Sequence, residues 1–127
     1  MFKKIMIANR GEIAVRIIRA CRELNIPTAT IYSEADASAL HVQEADEAVC
    51  AGPPSPLESY LNQDRIVEEA KKLGCDAIHP GYGFLAENGG FAKKIEDAGI
   101  VFIGPPAHAI ALMGNKASAK RHMLEAG

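Results

Sequence analysis

The 127-residue chain has few of the features that mark disulfide-rich, membrane or nucleic-acid-binding proteins. Its cysteines, Cys21, Cys50 and Cys75, are scattered and odd in number, which predicts small buried residues in a reducing compartment. No apolar run approaches the roughly 20 residues of a membrane span, and the first run is too short for a secretory signal. A net charge of -2 provides no basic surface. The composition therefore indicates a globular protein with neither nucleic acid nor membrane as partner.

Catalytic and metal-binding patterns are also missing from the sequence. The four histidines share no metal-ligand spacing, so we expect no metal site within the chain. No Ser-His-Asp or Cys-His grouping is identifiable, and no pair of carboxylates stands out. We therefore predict no catalytic residue among these 127.

Segments of strand and helix periodicity alternate along the chain. We predict strands over 4–8, 28–32, 47–51, around Ile78 and over 100–103, and helices over 12–24, 40–45, 62–73, 91–98, 107–113 and 116–126. Such alternation predicts an α/β fold, an open parallel sheet of about five strands with helices on both faces in a Rossmann-like arrangement. The expected buried stripe of the first helix is Ile13, Ile17, Cys21 and Leu24, with Ala14 and Ile18.

The stretch from His79 to Asn88 connects a predicted strand to a predicted helix. Open α/β sheets bind ligands at such turns, outside the carboxyl ends of the strands. The glycines on either side of Tyr82 allow positive φ angles or a close approach of the backbone to a bound group. Glu87 and Asn88 are the candidates to cap the next helix. A turn that merely connects strand to helix is the alternative.

The run Gly81-x-Gly83-x-x-Ala86 formally matches a dinucleotide-binding fingerprint. That fingerprint also needs an acidic residue at the end of the following strand, to hold a ribose hydroxyl. Here the following strand, 100–103, continues into Gly104-Pro105-Pro106 and has no acid. We therefore disfavour a dinucleotide site.

Asn9-Arg10-Gly11-Glu12 follows the first predicted strand and begins the first predicted helix. Because parallel strands end at one edge, we expect Asn9-Arg10-Gly11, Tyr82-Gly83 and Gly104-Pro105 to lie on the same edge of the sheet. A helix start with a capping role alone is the alternative for the first of these segments.

Two further patterns involve charge. Lys116 follows Asn115 at the start of the last predicted helix, where a positive charge suits a bound phosphate; a plain surface lysine is the alternative. Arg16, Arg19 and Glu23 share one face of the first helix, opposite its apolar stripe. A solvated face is the usual explanation, and a contact between two copies of the chain is the sharper one.

Seven spaced motifs run over nearly the whole chain: 7–14, then Arg16 with 19–21, 41–47, 59–62, 79–88, 102–105 and 112–114. The third of these motifs consists of 41–42 with 45–47. Together the seven resemble the N-terminal domain of biotin carboxylases, the biotin-carboxylating units of acetyl-CoA, propionyl-CoA and methylcrotonyl-CoA carboxylases and of pyruvate carboxylase. The resemblance implies the fold called pre-ATP-grasp. It also implies a reaction in which ATP activates bicarbonate as carboxyphosphate and the carboxyl group passes to biotin.

Carried over residue by residue, the resemblance makes Lys116 a ligand of the ATP phosphates and places Tyr82 and Gly83 beside the biotin ureido ring. It makes Arg16, Arg19 and Glu23 candidates for the dimer interface of the bacterial form. One departure is Asn115, where the family usually has aspartate. Asparagine caps a helix about as well, so we expect the turn to persist without the negative charge.

The resemblance further implies Mg-ATP and biotin as cofactors, and bicarbonate, a biotin carrier protein, a carboxyltransferase and a second copy of the chain as partners. It predicts an N-terminal α/β domain over 1–113 and the start of a truncated ATP-grasp domain over 114–127. We expect the isolated chain to fold but to be inactive, and its location to be cytoplasmic, or the mitochondrial matrix for a eukaryotic source. The alternatives are a stand-alone binding or dimerisation module and the N-terminal domain of another ATP-grasp ligase, which would lack the loop 79–83.

Overall fold

The structure is a computed structural model that describes residues 2–81, 85–86 and 88–104. The strands of this part are β1 (Ile5–Ile7), β2 (Thr28–Ser33), β3 (Glu47–Gly52), β4 (Ala77–His79) and β5 (Val101–Phe102). The helices are α1 (Gly11–Glu23), α2 (Leu40–Glu44), α3 (Gln63–Lys72) and α4 (Gly89–Asp97), with 3-10 turns at Glu34–Asp36 and Pro56–Glu58. The helices predicted over 107–113 and 116–126 lie outside the described residues, and so do Tyr82, Gly83 and Lys116.

The strands form a sheet in the order β3-β2-β1-β4-β5, and every neighbouring pair is parallel. The predicted α/β class and parallel sheet are therefore confirmed. The chain builds outward from β1 through β2 to β3, then returns to the other side of β1 for β4 and β5. The neighbours β1 and β4 consequently form the topological switch point, where open α/β sheets bind ligands.

Alternate residues of β1 face opposite sides of the sheet, as the two-residue strand period requires. Ile5 and Ile7 pack with the buried face of α1. Met6 and Ala8 pack on the other side, in a cluster that includes buried residues of α3 and α4. The sheet is thus covered on both faces, as predicted, and these two apolar layers fix the ends of its strands in space.

The predicted apolar stripe of α1 was wrong at its last position, because Leu24 is 60% exposed. Asn25 has a φ of 59° and ends the helix in the left-handed region. The chain turns there, and the Ile26 N–H donates to the Cys21 carbonyl. Ile26 is thereby buried and takes the place that the helical pattern assigned to Leu24.

Two helices begin at asparagine caps. The Asn88 side chain accepts the Phe91 N–H at 2.9 Å, which confirms one of the two predicted caps of α4. Asn62 likewise accepts the Arg65 N–H at 3.2 Å and begins α3.

Within the described residues, no helix has both the length and the apolar content needed to cross a membrane.

Candidate functional site

The carboxyl ends of β1, β4 and β5 lie along one edge of the sheet. These strands run in parallel, so the residues that follow them, Asn9 after β1, Gly81 after β4 and Gly104 after β5, share that edge. The predicted placement of these segments on a single edge is therefore confirmed for the described members. Tyr82, Gly83 and Pro105 belong to the same predicted rim but lie outside the described residues.

Asn9 joins the ends of β1 and β4. The residue is 2% exposed. Nδ2 donates to the Pro80 carbonyl at 2.8 Å, and Oδ1 accepts the Arg10 N–H at 2.8 Å. The Ala8 N–H also donates to the His79 carbonyl at 2.9 Å. The start of α1 and the turn after β4 are thus held together by hydrogen bonds across the switch point.

The alternative hypothesis, that Asn9-Arg10-Gly11 merely caps the first helix, does not fit the structure. The N-cap residue of α1 is Arg10, and its side chain makes no capping hydrogen bond. The neighbouring amide of Asn9 is committed instead to Pro80 and to the Arg10 N–H. The polar side chain at this helix start therefore serves a contact between segments that are distant in sequence.

Gly81 is required at its position for steric reasons. Its φ is 68°, and a Cβ added there would lie 2.7 Å from Asn9 Nδ2 and 3.0 Å from Ile13 Cγ2. The turn thus packs directly on the first residues of α1. The predicted close approach of the glycine backbone is real, and the neighbour that it approaches in this structure is the chain itself.

His79, the last residue of β4, has a defined protonation state. The Gly81 N–H donates to its Nδ1 at 3.1 Å, so the neutral ring carries its proton on Nε2. Burial lowers the pKa of His79 below its usual value of 6.5. The imidazole is therefore neutral at pH 7, and it can offer one N–H donor beside the turn.

A second polar cluster, which sequence reasoning missed, lies at the ends of β1, β2 and β3. Arg10 makes two hydrogen bonds to Asp36, from Nε to Oδ2 at 2.8 Å and from a terminal nitrogen to Oδ1 at 3.0 Å. The Tyr60 hydroxyl donates to Asp36 Oδ2 at 2.8 Å and accepts the Ser33 N–H at 3.2 Å. The Arg10 guanidinium also lies 5.9 Å from the centre of the Tyr60 ring.

In this Arg10–Asp36–Tyr60 cluster the Asp36 carboxylate is ionised and the Tyr60 hydroxyl is protonated at neutral pH. The hydrogen bonds from Arg10, with a smaller effect of Tyr60, lower the pKa of Asp36 to about 2. Burial, and then the hydrogen bond to Asp36, raise the pKa of Tyr60 to about 12. A tyrosine amid apolar residues usually needs a partner for its hydroxyl, and that is the one signal in the sequence that could have pointed to this cluster.

His41 is a buried histidine of α2 and has a structural role. Its Nε2 lies 3.1 Å from the Ile31 carbonyl in β2. The residue is 1% exposed, and burial lowers its pKa. In the described part of the chain its Nδ1 has no hydrogen-bond partner. A neutral ring that donates from Nε2 accounts for this arrangement, because only an acceptor lone pair is then left unused.

The charged face of α1 is exposed, as predicted for Arg16, Arg19 and Glu23. Arg16 pairs with Glu12 at 2.8 Å. Arg19 donates twice to Glu44 of α2, at 3.0 and 2.9 Å. Its guanidinium is therefore already oriented within the chain, which sequence reasoning did not foresee. Pairing of this face with a second copy stays a prediction.

No group of three or more histidine, cysteine, aspartate or glutamate side chains within the described ranges could hold a metal ion. The three residues predicted to bind cofactors, Tyr82, Gly83 and Lys116, are not among those ranges. The structure describes the turn only as far as Gly81, one residue before Tyr82, where it is held against Asn9.

Comparison with known proteins identifies close relatives of this arrangement. A family model described as the biotin carboxylase N-terminal domain matches residues 1–110. Biotin carboxylase 1 of Bacillus subtilis is 61% identical over 127 residues, which are 100% of this chain and 28% of that protein. The alpha chain of rat mitochondrial propionyl-CoA carboxylase is 56% identical over 119 residues, 94% of this chain and 16% of its own length.

Solved structures show the same fold. The biotin carboxylase domain dimer of the 2-oxoglutarate carboxylase of Hydrogenobacter thermophilus, in complex with MgADP, ADP and bicarbonate, superimposes with a TM-score of 0.89 at 57% identity. The match covers 100% of this chain and 28% of that one. The chain therefore spans just over a quarter of the length of the biotin carboxylases that it matches.

Proposed function

Because this chain belongs to the family of biotin carboxylase N-terminal domains, we propose that it forms that domain of an enzyme that uses ATP and bicarbonate to carboxylate biotin. The observation that carries the proposal is the turn His79-Pro80-Gly81, which is clamped at the switch point between β1 and β4. Ligands of open α/β sheets bind at that place. The two residues proposed to meet biotin, Tyr82 and Gly83, follow this turn directly.

The biotin role is assigned to Tyr82 and Gly83. A ureido ring presents one carbonyl oxygen and two N–H groups, and the backbone of a glycine-rich turn offers matching donors and acceptors. Gly83 has no side chain to hold a ligand away from that backbone. The half-buried His79 ring is neutral, so it places no positive charge beside the turn, and this suits an uncharged ureido group.

The nucleotide role is assigned to Lys116. An ammonium group beside the free amides of a helix start is a suitable ligand for a phosphate. Bound Mg-ATP supplies the activation of bicarbonate. Phosphoryl transfer also needs metal-binding acids and charge clamps, and the described residues contain no metal-binding group. We therefore assign those groups to the rest of the enzyme, with 1–113 as the N-terminal domain and 114–127 as the start of the ATP-grasp domain.

The proposed partners follow from the same assignment. They are a biotin carrier protein, a carboxyltransferase and a second copy of the enzyme. The face formed by Arg16, Arg19 and Glu23 is the proposed contact between copies, because its side chains are exposed and carry both signs of charge, as a self-complementary interface requires. The bidentate pair with Glu44 pre-orients Arg19 for such a contact.

The test is a chimera in which residues 1–127 replace the matching segment of the Bacillus subtilis enzyme, which is 61% identical there. Bicarbonate-dependent phosphate release with free biotin should lie within about tenfold of the parent. Lys116→Ala should reduce kcat/KM for ATP by about tenfold or more, the loss of one or two charge-assisted contacts. Lys120→Ala, one turn further along the same predicted helix, is the matched control. A folded but inactive chimera would contradict the proposal.

The chain on its own should fold without releasing phosphate from Mg-ATP. Folding is expected because both faces of the sheet are covered by packed apolar residues. Inactivity is expected because a single lysine cannot hold Mg-ATP. Turnover by the purified chain above that of its Lys116→Ala variant would show that these residues suffice for catalysis.

A further inference from the structure

We propose that Asn9 is a positioning residue for the biotin-binding turn, an inference that rests on the roles proposed above for Tyr82 and Gly83. Its side-chain amide holds the backbone at Pro80 and Gly81 against the start of α1. The direction in which the chain enters Tyr82 then depends on this amide.

Both ends of the Asn9 amide are used on backbone groups at strand ends. Nδ2 donates to the Pro80 carbonyl, 71 residues away, and Oδ1 accepts the adjacent Arg10 N–H. Aspartate has no donor for the carbonyl, serine is too short to span the gap, and an apolar side chain would leave both backbone groups unpaired. Asparagine is thus the side chain whose size and hydrogen bonds both fit this buried position.

Through steric contact, the position of the Asn9 amide determines the position of the turn. Because even a Cβ on Gly81 would collide with Asn9 Nδ2, the backbone of Gly81 rests on the amide. Gly81 is covalently next to Tyr82, so a shift of its Cα is transmitted along a peptide only 3.8 Å long between Cα atoms. A misplacement of about 1 Å at a reacting centre can cost about 100-fold in rate, so a modest shift would be measurable.

The amino ends of the same two strands supply a matched control. Asp76, just before β4, accepts the backbone N–H groups of Lys3 at 2.9 Å and Lys4 at 3.1 Å, just before β1. This carboxylate therefore also fastens β1 to β4, but at the edge opposite to the turn. Asp76→Ala should weaken the fold without moving the residues that meet biotin.

The experiment measures the KM for biotin and the KM for ATP in the chimera with Asn9→Ala, Asn9→Ser or Asp76→Ala. In both Asn9 variants the KM for biotin should rise about tenfold or more, while the KM for ATP changes less than twofold. A side chain that only stabilised the fold would lower the amount of active enzyme and leave both constants unchanged. Asp76→Ala should behave in that way. Asn9→Ser, with a shorter polar side chain, serves if Asn9→Ala is recovered unfolded.

Three results would overturn the inference: a KM for biotin within twofold of the unsubstituted chimera in the folded Asn9 variants, an equal rise in both constants, or the same rise in Asp76→Ala. An unsubstituted chimera without biotin turnover would overturn the proposed function, and this inference with it. Normal turnover of that chimera, with unchanged constants in the Asn9 variants, would overturn this inference alone.

Discussion

Replacement of Tyr60 by phenylalanine would remove a hydroxyl that joins the ends of β2 and β3. That hydroxyl donates to Asp36 at 2.8 Å and accepts the Ser33 N–H at 3.2 Å. Tyr60 is 2% exposed, and its buried ring is kept in the phenylalanine variant, so the substitution creates no cavity of the size of a side chain. The change therefore separates the contribution of the hydroxyl's hydrogen bonds from that of packing.

The size of the effect follows from the two partners. A hydrogen bond to a charged group contributes about 1.5–3 kcal/mol, and a buried N–H left without a partner costs about 1–3 kcal/mol. Asp36 keeps its two hydrogen bonds from Arg10, so the first contribution lies toward the lower end. We expect Tyr60→Phe to reduce the free energy of unfolding by about 3 kcal/mol, which corresponds to a urea midpoint lower by roughly 1–3 M.

Urea unfolding of the chain at pH 7 measures this loss. Tyr32→Phe is the matched control, because the Tyr32 hydroxyl makes no hydrogen bond within the described residues and its loss should cost less than about 0.5 kcal/mol. The difference in free energy of unfolding between wild type and Tyr60→Phe should narrow as the pH falls from 4 toward 2, because a protonated Asp36 no longer forms a charge-assisted bond. Equal stability of the two tyrosine variants would refute this account of the cluster.

Three further outcomes are expected. The pKa of Asp36 is depressed from 3.8 to about 2, so its stabilising effect is complete above pH 4 and is lost as the pH falls through 2. Between pH 4 and pH 2 the free energy of unfolding of wild type, relative to that of Asp36→Asn, should therefore fall by about 1–2 kcal/mol. This figure takes about 1.4 kcal/mol per pKa unit and reduces it for solvent screening. A Cβ on Gly52 would overlap a backbone carbonyl oxygen, whereas a Cβ on Gly74 would meet nothing within 4 Å. Gly52→Ala should therefore lower the free energy of unfolding by about 3 kcal/mol or more. Gly74→Ala should lower it by only about 1–2 kcal/mol, because the left-handed φ is then the only cost. Arg19→Glu in the chimera should weaken the dimer at least about tenfold by analytical ultracentrifugation, since it opposes like charges across the proposed interface.

Each of these three has a contrary result. A pH dependence of Asp36→Asn identical to that of wild type would contradict the depressed pKa. Equal losses for the two glycine variants would contradict the contact at Gly52. For the dimer, Arg65→Glu on α3 is the control, because Arg65 lies on a helix that packs on the other face of the sheet from α1. An unchanged dissociation constant in Arg19→Glu would contradict the interface.

The elements of the fold could be predicted from the sequence because their signals are local. Short apolar runs mark the strands, and the caps Asn62 and Asn88 lie within three residues of the amides that they satisfy. Leu24 shows where local periodicity stops being informative. It continues the apolar pattern of α1, but the helix ends at Glu23, Asn25 turns the chain in the left-handed region, and Ile26 is buried instead.

The sequence by itself thus determined the kinds of elements, their order and the edge of the sheet at which Asn9 and Gly81 lie, since parallel strands have only one carboxyl edge. The tertiary structure alone decided the partners of the side chains there. The Asn9 amide meets Pro80 across 71 residues, and Asp36 meets Arg10 and Tyr60 across 26 and 24. No short-range pattern encodes such pairs, because which strand ends become neighbours depends on the strand order β3-β2-β1-β4-β5. That order is set by the packing of the whole core.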